Sequence, residues 1–332
     1  MITQGEAIEP ILFILIGAGV YVGWNIGAND TANCIGTTVG CGLISFRQAV
    51  LLVALYAVLG ALLQGEHVMH TIGTGIVSAE LDYTAVLVAM VCSGFFVTLA
   101  TFFRIPVSTS QAIVGGVVGI GFAVEVDVNY GQFFLIAESW IVCPILVMML
   151  AFVLSHLVGF FLRRLRYGIM LVQNAMGGLA ILSACYVAYS MGANNAGNAV
   201  GPIANLKIVN DFWLLFIGGF AIAFGAASYG KKVADTVGKG ITPLDIPGAF
   251  AAQISSAFGM HFFSMLGIPV STSSAIVGAV VGVGLVKGAK AISKKTIISI
   301  LIVWVLTPCL AGVSAFLLYR LTRWLFQTAG GV

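Results

Sequence analysis

Long runs of apolar residues, separated by short polar connections, occupy most of the chain. Each run is long enough for a helix that crosses a hydrocarbon core about 30 Å thick. A transmembrane β-barrel would instead show alternating segments of about ten residues. The pattern therefore predicts an all-α polytopic membrane protein. The runs are 8–43, 46–64, 83–103, 106–124 and 132–162, followed by 169–205, 212–229, 248–267, 268–286 and 296–326.

The sequence pattern occurs twice along the chain. Residues 105–121 read IPVSTSQAIVGGVVGIG and residues 268–284 read IPVSTSSAIVGAVVGVG, identical at 14 of 17 positions with an offset of 163. A fainter match joins GANDTAN at 27–33 to GANNAGN at 192–198, with an offset of 165. Such self-similarity indicates duplicated structural units of five apolar runs each. The two predicted repeats are residues 1–165 and residues 166–332.

The charges of the loops indicate that the two repeats have opposite orientations. Two loops of the first repeat carry acidic residues and no Lys or Arg, whereas the matching loops of the second repeat are rich in lysine. Lys and Arg collect on the cytoplasmic side, which would place the acidic N-terminus outside. Two parallel repeats with scattered charges are the alternative. The acidic loop residues are Glu66, Glu80, Asp82, Glu125 and Asp127, and the basic ones are Lys231, Lys232, Lys239, Lys287, Lys290, Lys294 and Lys295.

Composition narrows the class of protein further. Of the 332 residues 60% are hydrophobic and only 8% are charged, against about 25% charged in an average soluble domain. The formal net charge of +3 reflects loop residues that orient the chain, so nucleic acid is not expected as a partner. The chain lacks the GxxxxGK[ST] phosphate loop of ATP-driven pumps. Inverted repeats in a lipid bilayer are instead typical of secondary transporters, whose substrate sites lie where helices are broken.

The PVSTS motifs, residues 106–110 and 269–273, are the first predicted breaks. Pro106 and Pro269 lack an amide hydrogen and should end one helix and begin the next. Hydroxyls and unpaired backbone amides then gather at a helix N-terminus, which is a site for an oxyanion. Capping or bonding within the helix is the alternative role of these hydroxyls. The predicted substrate ligands are Ser108, Thr109, Ser110, Gln111, Ser271, Thr272, Ser273 and Ser274, together with Asp30.

The GAN motifs, residues 27–33 and 192–198, are the second predicted breaks, either as unwound helix around Gly27 and Gly192 or as re-entrant hairpins. A carboxylate inside an apolar span is costly, so Asp30 is a functional candidate. Amide, carboxylate and carbonyl oxygens suit hard cations such as sodium, which would neutralise a bound anion. The predicted sodium ligands are Asn29, Asp30, Asn33, Asn194, Asn195 and Asn198.

Through these GAN and PVSTS motifs the chain resembles, over nearly its whole length, the inorganic phosphate transporter family of secondary carriers. These carriers couple uptake of phosphate to sodium or protons. The resemblance implies that the PVSTS hydroxyls contact phosphate and that Asn29, Asp30 and Asn194 line cation sites. It also implies a homodimer in the cell membrane and an elevator-like movement of the binding domain, with no cofactor besides the coupling ions.

Three other functions are compatible with the sequence pattern. A compact branch of the same family moves sulfate; Asp30 favours phosphate, because monohydrogen phosphate has a proton to donate to a carboxylate and sulfate has none. An intramembrane phosphatase would need a general base or a nucleophile pair, and the PVSTS segments have no neighbouring His or second acid in sequence, so no enzyme is predicted. A passive anion channel is the third alternative.

Overall fold

The computed structural model describes residues 4–103, 107–164, 169–231, 244–288 and 294–329. Within these ranges the protein is almost entirely helical, with a π-helical turn after the second helix and one isolated β-bridge. The ten described helices are α1 Gln4–Gly40, α2 Phe46–His70, α3 Tyr83–Phe102, α4 Thr109–Val124, α5 Tyr130–Arg164, α6 Ile169–Ala204, α7 Asp211–Ser228, α8 Ile246–Met265, α9 Thr272–Lys287 and α10 Lys294–Ala329.

Seven spans among the described helices are long and apolar enough to cross a membrane. They lie in α1, α2, α3, α5, α6, α7 and α10. The helices α4 and α9 are apolar but have only 16 residues each, about 24 Å at 1.5 Å per residue. The predicted all-α multi-pass membrane protein is therefore confirmed.

The predicted helix breaks at the two PVSTS motifs are present. The helix α3 ends at Phe102 and α4 begins at Thr109, while α8 ends at Met265 and α9 begins at Thr272. Gly267 turns the second connection with a φ of 69°, in the left-handed region that favours glycine. Pro106, in the first connection, lies outside the described residues.

The predicted breaks at the GAN motifs are wrong, because α1 and α6 run through them without interruption. The glycines serve close packing instead of unwinding. A Cβ at Gly27 would lie 1.9 Å from the carbonyl oxygen of Ile222, and one at Gly192 would lie 2.0 Å from that of Ala57. Only glycine allows the helix backbones to approach so closely, as is common between membrane helices.

The fifth helix of each half is one continuous element that contains a proline. Pro144 lies inside α5 and Pro308 inside α10. Each proline faces a glycine of a short helix: a Cβ at Gly278 or at Gly115 would lie 2.3 Å from the carbonyl oxygen of Pro144 or Pro308, respectively. The glycine-rich run of α4 therefore packs closely against α10, and that of α9 packs closely against α5.

The end of α2 differs from the prediction, and several lysines of the predicted loops lie outside the described residues. The helix α2 continues to His70, six residues beyond the predicted apolar run, so the segment from Gly65 onward begins as helix rather than loop. The side chains of Lys294 and Lys295, and the residues Lys232, Lys239 and Lys290, lie outside the described part of the chain.

Candidate functional site

The first serine of each PVSTS motif caps the helix that follows it. Ser108 Oγ accepts a hydrogen bond of 3.2 Å from the backbone amide of Gln111, and Ser271 Oγ accepts one of 3.1 Å from that of Ser274. Both serines have extended backbone angles typical of an N-cap. These two hydroxyls therefore cap α4 and α9, the alternative role given to them in the sequence analysis. The N-termini of both helices lie beside the same buried side chain.

This side chain is Asp30, and residues of all four motifs contact its carboxylate. Oδ1 accepts hydrogen bonds of 3.3 Å from Asn33 Nδ2 and 3.3 Å from Ser273 Oγ. Oδ2 accepts bonds of 3.3 Å from Thr109 Oγ1 and 3.2 Å from Asn195 Nδ2. Residues far apart in sequence thus converge on the acid that the apolar pattern of α1 singled out.

Asn195 occupies the position in α6 that matches Asp30 in α1, and its surroundings are similar. Its Nδ2 also donates to Thr272 Oγ1 at 2.9 Å. Its Oδ1 accepts bonds of 2.9 Å from Asn194 Nδ2 and 2.9 Å from Asn198 Nδ2. The amide of Asn195 can both donate and accept, so it bridges the neutral second half of the site to the charged first half.

Hydroxyls near the site cross from one PVSTS motif to the other. Ser110 Oγ donates to the carbonyl of Val270 at 2.8 Å, and Ser273 Oγ donates to the carbonyl of Val107 at 3.0 Å. Asn194 holds Val270 by both amide atoms, with Nδ2 2.7 Å from its oxygen and Oδ1 3.0 Å from its nitrogen. Asn194, a predicted sodium ligand, here fixes the backbone ahead of α9.

The site is deeply buried and chemically mixed. Its fourteen predicted residues are each no more than 3% exposed. The donors that contact Asp30 in the described part of the chain are amides and hydroxyls, none of them charged. Hydroxyl and amide donors at two helix N-termini suit an oxyanion, while a carboxylate with amide and hydroxyl oxygens suits a hard cation. The residues therefore fit the binding of an anion together with a cation such as sodium.

Three predicted site residues lie at its edge. Asn29 Nδ2 donates to Thr101 Oγ1 of α3 at 2.9 Å, and Ser274 Oγ donates to the carbonyl of Ser271 at 2.9 Å. Gln111 lines a cavity of about 1090 Å³ between α4, α5, α9 and α10. Because apolar side chains dominate the walls of that cavity, it is a poor place for a phosphate ion.

Gln253 of α8 is a supporting residue that the sequence interpretation missed. Its Nε2 donates to the carbonyl of Cys34 at 2.9 Å, one residue beyond Asn33, and its Oε1 accepts a bond of 3.1 Å from Ser183 Oγ. It is fully buried and joins α1, α6 and α8 beside the site. The available signal was a polar side chain within the apolar run 248–267.

Fold and site together describe a polytopic membrane protein with a buried polar centre, and the proteins that it matches are transporters, not enzymes. A family model described as the phosphate transporter family matches residues 26–315. The chain therefore belongs to the phosphate transporter family.

Relatives extend the match over nearly the whole chain. A protein of Pyrococcus furiosus that carries the name of a phosphate permease is 31% identical, covering 94% of this chain and 96% of its own length. The chloroplastic inorganic phosphate transporter 2-1 of Arabidopsis thaliana is 27% identical, covering 92% and 71%. A solved structure titled as the sodium-dependent phosphate transporter superposes with a TM-score of 0.86 at 30% identity, covering 95% of this chain and 99% of that one.

Proposed function

We propose that the protein is a sodium-coupled symporter that imports inorganic phosphate by alternating access. The observation that carries the proposal is the convergence of both GAN and both PVSTS motifs on Asp30. Phosphate binds between the N-termini of α4 and α9, held by backbone amides and by the hydroxyls of Thr109, Ser110, Thr272 and Ser273. Sodium binds at the carboxylate and amide oxygens of the GAN motifs.

The choice of ions rests on charge and on the structural neighbour. A phosphate anion beside a buried carboxylate is strongly repelled unless a cation or proton lies between them. The neighbour that matches 95% of the chain is named for sodium dependence, which supports sodium as that cation. Protons are the alternative coupling ion, since a carboxylate can also carry one.

Burial supports alternating access as the mechanism. Residues exposed by 3% or less cannot exchange an anion with water unless the surrounding helices separate. Two hydroxyl-to-carbonyl bonds, from Ser110 to Val270 and from Ser273 to Val107, join the two PVSTS motifs at the site. Opening either side of the site would require these crossing contacts to rearrange.

Helix packing supports the proposed inverted repeats, residues 1–165 and 166–332. The helix α2 packs on α6 as α7 packs on α1, and α4 packs on α10 as α9 packs on α5. The close pair of Gly60 and Tyr189 becomes the close pair of Gly225 and Trp24 when the halves are exchanged with an offset of 165. Epitope tags after α2 and after α7 should be accessible from opposite sides of the membrane; accessibility from one side would refute the inversion.

Radiolabelled uptake into proteoliposomes tests the proposed function. Wild-type protein should accumulate phosphate under an inward sodium gradient and not under potassium or choline gradients. Ser273→Ala should lower uptake because its hydroxyl contacts Asp30. Ser264→Ala is the matched control, since its buried hydroxyl bonds the carbonyl of Met260 within α8 and not Asp30 in the described part of the chain. Equal loss in both variants would refute the site.

The same assay separates the alternatives. Sulfate that competes better than phosphate would identify the sulfate branch, and uptake driven by a proton gradient alone would replace sodium. Equilibration without accumulation would indicate a passive channel. Homodimer formation in the cell membrane, with the N-terminus outside, is part of the proposal and is tested by light scattering of the purified protein and by tag accessibility on intact cells.

A further inference from the structure

Three side chains with metal-ligating atoms meet where α2 ends and α7 begins, away from the buried site. His70 Nε2 lies 3.4 Å from Glu66 Oε1, one turn earlier on α2, and 3.3 Å from Asp211 Oδ2, the first residue of α7. The three donor atoms all lie within 4.8 Å of one another. Their side chains are between 43% and 65% exposed, so an ion from solution can reach them.

Hydrogen bonding does not explain this arrangement well. A single imidazole nitrogen carries at most one hydrogen, so His70 Nε2 can donate to one carboxylate and not to both. Both distances, 3.3 and 3.4 Å, also exceed the roughly 2.7–2.9 Å of a charge-assisted N–H···O bond. Two carboxylates and one imidazole nitrogen therefore face one another as three potential metal ligands.

A tetrahedral metal ion fits the two distances from His70 Nε2. Ligand atoms about 2.1 Å from a zinc ion lie about 3.4 Å from each other at the corners of a tetrahedron. One imidazole and two carboxylates form a donor set used for zinc, with water at the fourth corner. We propose that Glu66, His70 and Asp211 form a divalent-cation site of the zinc class that joins α2 to α7.

The location gives the site a route to the transport machinery. The helices α2 and α7 belong to different predicted repeats, so a shared ion would tie the halves together. A Cβ at Gly267 would lie 3.1 Å from the carbonyl oxygen of His67 and 3.0 Å from Thr71 Oγ1. The connection that leads to Ser271 therefore rests on the last turn of α2, and a metal clamp there restrains it.

Titration of zinc alone into the purified full chain in detergent tests the site. Wild-type protein should bind one zinc ion, and zinc should raise its melting temperature because the ion binds the folded state. His70→Gln should weaken zinc binding by at least about tenfold, because changing even a residue that only hydrogen-bonds to a metal ligand lowers metal affinity by about that factor. His67→Gln is the matched control, a histidine one turn away on the same helix.

Asp211→Asn keeps the size of the side chain and should weaken zinc binding as His70→Gln does, which guards against misfolding of a single variant. Zinc binding that is absent from wild type, or unchanged in both variants, would overturn the site.

Phosphate uptake tests the link between the metal site and transport: zinc should slow uptake by wild type and not by His70→Gln. Wild-type uptake that is insensitive to zinc would overturn that link. If no phosphate uptake occurs at all, the proposed function fails while the titration still decides the metal site.

Discussion

Replacing Asn195 with aspartate should make the stability of the protein depend on sodium. Asn195 Nδ2 lies 3.2 Å from Asp30 Oδ2, and both side chains are buried. The variant places a second carboxylate at that distance and removes a hydrogen-bond donor to the first. It also restores the acid that the first GAN motif carries at the equivalent position.

The magnitude follows from the distance. Two unit charges 3.2 Å apart repel each other by about 5 kcal/mol at an effective dielectric constant of about 20. In a chain of this length such a loss lowers the melting temperature by on the order of 7 °C, from the average unfolding entropy per residue. A sodium ion between the carboxylates removes most of the repulsion, and a proton on one of them does the same.

Thermal unfolding in mildly alkaline buffer, with sodium or with choline, measures the effect. Asn195→Asp should melt several degrees below wild type in choline and recover most of that difference in sodium. Asn205→Asp is the control, because Asn205 is also buried but its side chain bonds the backbone of Leu81, Gly73 and Ala79, away from Asp30. Its melting temperature should not depend on sodium. A melting temperature of Asn195→Asp that equals wild type in choline would refute the contact between Asp30 and residue 195.

Two further predictions concern packing and pH. Gly278→Ala should destabilise the protein by about 1–3 kcal/mol through overpacking, because its Cβ would lie 2.3 Å from the carbonyl oxygen of Pro144. Gly178→Ala is the control and should not destabilise the protein, since a Cβ there would have nothing within 4 Å. Equal melting temperatures of the two variants would contradict the close approach of α5 and α9. Partial burial disfavours the charged form of Asp245, but the hydrogen bond and charge of Lys287 outweigh it and lower the pKa of Asp245 below its ordinary 3.8. The stability that this pair contributes is therefore present above about pH 4 and lost as pH falls through the lowered pKa of Asp245. Lys287→Gln, which lacks the pair, should lose less stability on acidification than wild type. Unfolding curves recorded between neutral and acidic pH measure this difference.

The described helices could be predicted because they follow from long apolar runs, whereas the inverted repeat, inferred from near-identical segments, stays a prediction. The acid at position 30 was found for the same reason, since a charge inside an apolar run is conspicuous. The sequence even paired Asp30 with Asn195, and the two side chains are in contact.

The continuity of α1 and α6 could not be predicted because glycine has two uses. In the GAN motifs a glycine followed by polar residues looks like unwound helix, yet Gly27 and Gly192 contact carbonyl groups of α7 and α2. Which helix lies opposite a glycine is decided by tertiary packing, and the sequence of one segment does not contain it.

We propose that one buried centre around Asp30 binds phosphate and sodium together. The most direct test is the affinity of the purified protein for phosphate, measured by calorimetry across a series of sodium concentrations in wild type and Asp30→Asn. If the two ions share the centre, sodium must tighten phosphate binding, as linkage requires, and Asp30→Asn should abolish that dependence. Phosphate affinity that is independent of sodium in wild type, or equally dependent in Asp30→Asn, would show that the two ions do not share this centre.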